Sequence, residues 1–464
     1  MKKAVLILDV GATNLRAVAV SETGNIIAQK FFPNQTSPDP FYKDGLIWDV
    51  DNIWKKLSKA TRFVINQINN TEIIGITVTT FGVDGAPFDN KGRQLYPVIS
   101  WACPRTQTVT EDVHKILPLN HLYKTTGVYP FAFNTIYKLF WLNKHHKNLM
   151  SKMAHWLFMP SILSNRLTGT KHTDISMAGT SMLTQLNSRG FSEHIIHETG
   201  LKPQIFPPLK EAGQQVGFVT KAAAVQTGIN EGTPVFATGH DTQFAVFGSG
   251  AGINEPVLSS GTWEILMVRT PNIKVNKQAF NAGITTEWDS LPGYFNPGLQ
   301  WQGSAILEWI KKNFYTDIIN NPSVYDIMIN EAESVKNTAV YFNTNFLNNN
   351  GQILNLNTHT KRGEIYRAAL TALAIHTKKS LQLIEEAAGF KAKSLTIVGG
   401  GSKNKLWNRI RSETLGIPVK TVLQTETTVL GAAMFVFGNT LYRSPEEAKQ
   451  IFQKTTSSKK QAKR

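Results

Sequence analysis

A single cysteine, Cys103, in 464 residues rules out an internal disulfide and any cysteine-rich metal site, and it favours a reducing cytoplasm. Charge is also sparse: charged residues make up 18% of the chain, against ~25% in a typical globular protein. No stretch approaches the ~18 uninterrupted apolar residues that a membrane-spanning helix needs. The opening MKKAVLILDVGATN begins with charge and a short apolar run, but Asp9 interrupts that run, so it reads as neither signal peptide nor span. Two phosphate-binding signatures are missing as well. There is no G-x-x-x-x-G-K-[ST], and no G-x-G-x-x-G between a strand and a helix, which removes the Walker and dinucleotide folds. The formal net charge of +16 raises the question of nucleic acid. Part of it, however, sits in Lys454, Lys459, Lys460, Lys463 and Arg464 and the rest is scattered, with no basic recognition helix, zinc-finger spacing or aromatic RNA-binding signature. The charge reads as a solubility feature that also favours anionic small molecules.

What is present is enough apolar material, 41% of the chain, for two or three folded domains. The most informative stretch is TPVFATGHDTQ, Thr233 to Gln243. A β-rich apolar run ends at Gly239, and Asp241 then opens a helical segment, so one carboxylate is expected at a strand end, where α/β proteins place their chemistry. Asp241 as a simple helix cap explains the local sequence equally well. Near the amino end, strand, tight turn and strand are predicted around Asp9, Gly11, Thr13 and Asn14, a tip whose small polar groups can hold a phosphate. The same pattern recurs around Ser260, Gly261, Thr262 and Trp263, which suggests an internal repeat with a junction near 248–254.

Other elements follow from periodicity and turn residues. Helical spacing covers Trp54 to Gln67, and strands are expected at Ile73 to Thr80 and Leu95 to Ser100. Asp84 lies in an Asp-Gly pair whose commoner use is a turn. A helix from Phe133 to Lys144 is expected to carry an Asn cap, and Asn296-Pro297-Gly298 to precede a helix from Trp301 to Lys312. A long helix is predicted from Arg362 to Ala388. A strand from Ser394 to Val398 then runs into Gly399-Gly400-Gly401-Ser402-Lys403-Asn404, where glycines and a helix N-terminus could approach an anionic ligand. A final helix spans Thr427 to Phe437.

In combination, DVGATNLR, FNTIYKLFWL, GHDTQ, SSGTWE, VGGGSKNKLWN and GIPVKTVLQTETTVLGAA resemble the FGGY family of carbohydrate kinases, over nearly the whole chain to about Gly438. The resemblance implies an α/β fold of two ribonuclease-H-like (actin-like ATPase) domains flanking a catalytic cleft. Residues 1–248 would bind the sugar and carry the catalytic acid, 249–445 would bind nucleotide, and 446–464 would form a basic tail. It makes Asp241 the general base, with Gly82, Asp84, His240, Thr242 and Asn296 beside the sugar. Asp9, Gly11, Thr13, Asn14 and Arg16 from the first tip, and Gly261 and Thr262 from the second, would meet the phosphates of ATP. Gly400, Gly401 and Asn404 would flank adenosine. A divalent cation, expected to be Mg2+, would be held by nucleotide and through water by Asp9 and Asp241. Within the family, VTTFGVDGAPFD, YPVISWACPRT, TDISMAGTS, EPVLSSGTWEILMVR and NPGLQW resemble kinases of a 6-deoxy ketose. That implies phosphorylation of L-fuculose at O1, with L-rhamnulose or another ketose as the alternative substrate. The implied partners are a ketose and ATP, not nucleic acid or membrane, and a homo-oligomer stays open. Two other classes share some of these parts. A sugar-sensing pseudokinase would lose the strand-end acid and need a DNA-binding module, and a filament-forming actin relative would not need GHDTQ.

Overall fold

In the computed structural model, residues 1–345, 350–422 and 426–461 are described. Lys463 and Arg464 of the expected tail, and 423–425 in the last family stretch, lie outside them. Two six-stranded sheets organise the chain. The first contains β1 (Lys2–Val10), β2 (Asn14–Ser21), β3 (Ile26–Pro33), β4 (Thr71–Thr80), β5 (Gln215–Phe218) and β6 (Pro234–His240). The second contains β7 (Val257–Ser260), β8 (Trp263–Met267), β9 (Thr285–Trp288), β10 (Phe295–Gln302), β11 (Leu395–Val398) and β12 (Val419–Thr421).

The repeat suggested by the two Gly-Thr tips is therefore a repeat of topology. In the first sheet β1, β2 and β3 form an antiparallel meander, and β4 and then β6 add in parallel on the other side of β1. In the second, β7, β8 and β10 form the meander and β11 and β12 add in parallel beside β7. Each sheet gains one antiparallel edge strand, β5 or β9. This is the two-domain α/β architecture of the actin-like fold.

The helices that shape the site are α1 (Val50–Gln67), α2 (Asp241–Gly248), α3 (Ser304–Phe314), α4 (Arg362–Ala388), α5 (Lys405–Leu415), α6 (Thr427–Phe437) and α7 (Pro445–Gln461). Strand alternation assigns β1 to two cores: Leu6, Leu8 and Val10 face α1, while Val5 and Ile7 face α2, α6 and α7. Asp49 starts α1 by accepting the backbone N–H of Asn52 at 3.0 Å. In the second half Leu258, Leu266 and Val268 pack on α3, α4 and α5.

The stretch expected as a basic tail is mostly α7, which returns to the first sheet. Ala448 and Phe452 are buried there, and the Phe452 ring lies under Gly24 so closely that a Cβ on that glycine would come within 2.4 Å of it. The helix α2 stands between the halves. Phe244 and Phe247 join the first core, while Val246 packs with Val257 and Val398 of the second. It crosses α6 at paired glycines. A Cβ on Gly248 would stand 2.0 Å from the Thr427 carbonyl, and one on Gly431 2.0 Å from that of Phe244.

Three local expectations are corrected. The strand expected over Leu95 to Ser100 shrinks to Val98–Ile99. The helix expected from Trp301 begins only at Ser304, because Asn296-Pro297-Gly298 lies in β10, which pairs with β9 up to Gly298 and with β8 up to Gln302. Pro297 fits because the β8 ladder ends at Gly298. Asn134 stands at the N-cap of the helix Thr135–His145, but its side chain donates to the Thr180 carbonyl at 3.3 Å instead of capping. Among the described residues no helix is long and apolar enough to cross a membrane.

Candidate active site

The first sheet delivers Asp241 through a tight turn at the end of β6. Gly239 has φ +114°, and a Cβ there would approach Ser176 Oγ to 2.3 Å, so only glycine makes the turn without displacing its neighbour. Asp241 is the first residue of α2, and the Thr242 backbone N–H helps to hold its carboxylate. The carboxylate also accepts from Thr242 Oγ1 at 3.2 Å and lies 3.5 Å from His240 Nε2. Burial raises its pKa, opposed by His240 and Thr242 and reinforced by Glu287. A carboxylate so placed keeps its affinity for a proton, which suits a base.

Asp241 and Thr242 line two cavities at once, of about 400 Å³ and about 150 Å³. The larger has walls of Phe81, Trp101, Phe131, Phe133 and Trp263 and a polar end at His240, Asp241 and Glu287. Aromatic walls with a few convergent polar groups match the two kinds of surface a sugar presents. Ala12 of the first tip and Trp263 of the second both reach this cavity. The smaller one extends to Ser259, Val398 and Thr428, so the chemistry-bearing ends of both sheets meet around Asp241.

Gly82 lines the larger cavity, and its missing side chain makes room for His240, since a Cβ would come 2.9 Å from Nε2. Asp84 does not reach the cavity. Its carboxylate is fully buried in an ion pair with Lys138 and accepts from Trp48 Nε1 at 2.7 Å and the Trp101 backbone N–H at 3.0 Å. Lys138 Nζ also donates to the Val83 carbonyl at 3.2 Å. Val83 holds φ +61°, which is costly for a β-branched residue, so this buried pair braces the cavity wall from behind. Asn296 is also turned away. It is fully buried and donates to Asp289 Oδ2 at 2.8 Å, and β10 faces the cavity with Gly298, Leu299 and Gln300.

At the first tip, the Gly11 N–H donates to the Asn14 carbonyl at 2.9 Å, leaving Thr13 and Asn14 exposed. Asp9 and Arg16 are register partners across β1 and β2 and form an ion pair at 2.8 Å. Arg16 also pairs with Glu426, just before α6. Burial pushes the Asp9 carboxyl up to about 6, with Arg16 opposing and Asp241 and Glu426 adding repulsion. At the second tip the Gly261 N–H donates to the Trp263 carbonyl at 3.0 Å, and the exposed Thr262 uses its carbonyl to hold Gly303. The glycine turn splits by role. Gly399 and Gly401 press on Ser260, whereas a Cβ on Gly400 would meet nothing within 4 Å. Asn404 caps α5 through the Trp407 N–H at 3.0 Å and donates to Tyr366 Oη at 3.2 Å, so its side chain is committed.

Glu287, Gln243, Lys138 and Glu426 escaped the sequence reading. Gln243, Lys138 and Glu426 lie inside stretches already singled out, GHDTQ, FNTIYKLFWL and GIPVKTVLQTETTVLGAA, and Glu287 had as its signal an acid inside the β-rich run ITTEW.

Residues 4–248 match the N-terminal domain of the FGGY family of carbohydrate kinases, and residues 257–437 match its C-terminal domain. The chain belongs to the FGGY family of carbohydrate kinases. It is 45% identical to an L-fuculokinase from Haemophilus influenzae, over 97% of this chain and 98% of that protein. An L-fuculokinase from Escherichia coli is 43% identical over 97% and 95%. The solved xylulose kinase from Rhodospirillum rubrum superimposes with a TM-score of 0.86 at 18% identity, covering 98% of each chain, a likeness of fold. As an FGGY kinase, the chain has a nucleotide and a sugar to align, and Asp241 stands where its two cavities meet.

Proposed function

We propose that the chain phosphorylates L-fuculose at O1 with ATP, giving L-fuculose 1-phosphate and ADP, with Asp241 as general base. What carries the reading is a strand-end carboxylate shared by two cavities, in a chain 45% and 43% identical, over nearly its whole length, to two L-fuculokinases. The sugar would occupy the larger cavity, with Gly82, His240 and Thr242 around its reacting end. Asp241 accepts the O1 proton as O1 bonds to the γ-phosphorus and the bond from that phosphorus to the bridging oxygen breaks. Gly11, Thr13, Asn14 and Arg16, with Gly261 and Thr262, hold phosphate oxygens, and Gly400 and Gly401 leave room for adenosine. In this reading residues 1–248 handle the sugar and the second half handles the nucleotide.

Among the described residues no group of three or more His, Cys, Asp or Glu side chains could hold a metal. Asp9 and Asp241, two carboxylates close enough to repel, do fit Mg2+, which takes one or two carboxylates with waters and substrate phosphates. The ion would neutralise charge on the phosphates.

A coupled ADP-release assay over a panel of ketoses tests the substrate. L-Fuculose and L-rhamnulose differ in hydroxyl configuration, and a misdirected hydroxyl leaves a buried partner unsatisfied at about 1–3 kcal/mol. L-Fuculose should therefore lead L-rhamnulose by at least about tenfold in kcat/KM, with D-ribulose slower for want of the terminal methyl. A lead for L-rhamnulose would change the substrate and leave the base in place. Asp241→Asn should lower kcat by roughly 10²-fold or more with both substrates still bound, and near-normal turnover in that folded variant would remove Asp241 from the chemistry.

A further inference from the structure

The polar end of the larger cavity is built from both halves of the chain. Strand β9 of the second sheet supplies Glu287, while β6 and α2 of the first half supply His240 and Gln243. Gln243 Nε2 donates to Glu287 Oε2 at 2.5 Å, and His240 Nδ1 lies 3.3 Å from the same oxygen. The other ring nitrogen, Nε2, lies 3.5 Å from Asp241 Oδ1. Gly82 closes against the ring, and the backbone N–H of His240 donates to Ser176 Oγ at 3.0 Å. The imidazole is thus confined between two carboxylates, each facing a different nitrogen, with Gln243 as its remaining polar neighbour.

An imidazole in that position satisfies both neighbours only when both nitrogens carry hydrogen. The Nδ1 contact is close without being aligned as a full hydrogen bond, and Gln243 Oε1 is likewise buried without a partner. The wall is assembled but not fully tightened, and one of its members comes from the other half of the molecule.

We propose that Glu287 is a positioning residue of the sugar site: from the second half of the chain it fixes the orientation of His240, so that Nε2–H is presented beside Asp241 to a sugar oxygen. The inference rests on the kinase reading of this cavity given above. It joins the two halves chemically, because the sugar-binding histidine is set by a carboxylate on the nucleotide-side sheet. Bringing the halves together then completes the polar wall, and separating them releases His240.

The test follows the orientation of the His240 imidazole in the intact chain at one fixed pH, through the NOE between its ring protons and the α-protons of Gly82, which closes against the ring; the ring resonances are assigned by their loss in His240→Gln. Glu287→Gln keeps the shape of the side chain and removes its charge. The NOE from the His240 ring to Gly82 should weaken, and KM for L-fuculose should rise roughly tenfold or more while KM for ATP stays within about twofold. Glu287→Asp, which keeps the charge on a shorter arm, should give a smaller loss of that NOE, and it decides the matter alone if the Gln variant does not fold. An unchanged NOE in a folded variant, or equal losses in the Gln and Asp variants, overturns the role. The NOE needs no substrate. If the parent protein failed to turn over L-fuculose, the substrate reading would fall and the orientation of His240 would still decide the part played by Glu287.

Discussion

The two hairpin tips share a topology and use their charge in opposite ways. At the first, the Asp9–Arg16 pair lies at the cleft, with side chains 12% and 15% exposed, and Asp9 is pushed up to about 6 by burial and by neighbouring acids. At the second, the comparable pair is Glu264 with Arg411 of α5, and both side chains are completely buried. Glu264 also accepts from Ser260 Oγ at 2.7 Å and Trp301 Nε1 at 3.0 Å. Ser260 in turn lies against Gly399 and Gly401. Burial lowers Arg411 to about 10 against the pull of Glu264. One repeat thus leaves its ion pair reachable by a ligand, and the other seals its pair under the glycine turn as a floor. A buried ion pair can be found in either place, so charge alone does not identify a reactive site; access does.

The largest expected effect breaks the sealed pair. Arg411→Ala leaves Glu264 buried without its cation, and unfolding free energy should fall by about 3–5 kcal/mol, read as a lower denaturation midpoint. Replacing both partners, as Glu264→Gln with Arg411→Met, should recover much of that loss. Lost turnover with unchanged stability in Arg411→Ala would instead mean that the second tip is chemical too.

A smaller effect, of the opposite kind, is expected at the open pair. Asp9→Asn should lower kcat on the order of 10-fold or more at saturating Mg·ATP without a comparable loss of stability. The pH dependence of stability gives a second reading of the open pair. Asp9 has a folded-state pKa raised from 3.8 to about 6, so the folded protein keeps this proton where the unfolded chain has released it. The contribution of Asp9 to stability therefore declines as pH rises from about 4 to about 6 and is level above that. Asn has no such term, so the stability of Asp9→Asn relative to the parent should improve across that window. A flat difference between the two proteins would mean that Asp9 does not hold its proton above the ordinary carboxylate range in the folded chain.

Much of this contrast could be read in the residues and part could not. Both tips, the strand before Asp241, α4 and the glycine turn were legible because turn residues and hydrophobic period act over a few neighbours. Lys138 finds Asp84 from 54 positions away, and Glu287 meets His240 from the other sheet. Such pairs arise from packing, which no local pattern encodes. Asn296 shows the converse error. Its residue type suits a sugar contact, but its amide is held by Asp289 and the Val268 carbonyl, and the cavity is lined by Gly298, Leu299 and Gln300 farther along the strand. The final helix misled in a third way, since its lysines dominate the composition while Ala448 and Phe452 decide where it packs.

The smallest effect concerns the turn that lies over the sealed pair. Gly399 and Gly401 cannot gain a side chain without pushing into Ser260, whose carbonyl and hydroxyl stand 2.7 Å and 2.1 Å from the respective Cβ positions. Any variant there confuses the floor with the ligand above it. Gly400 differs, because its φ is not in the left-handed region and its Cβ would point into open space. Gly400→Val should therefore fold with nearly the parent's stability, and its branched side chain should stand where adenosine approaches the backbone. KM for ATP should rise roughly tenfold, equivalent to about 1.4 kcal/mol of lost binding, while KM for the sugar stays within about twofold. Calorimetry of the folded variant with ADP measures this directly. Unchanged nucleotide affinity would make Gly400 a plain connection, and the open space above the glycine turn would then belong to something other than the nucleotide.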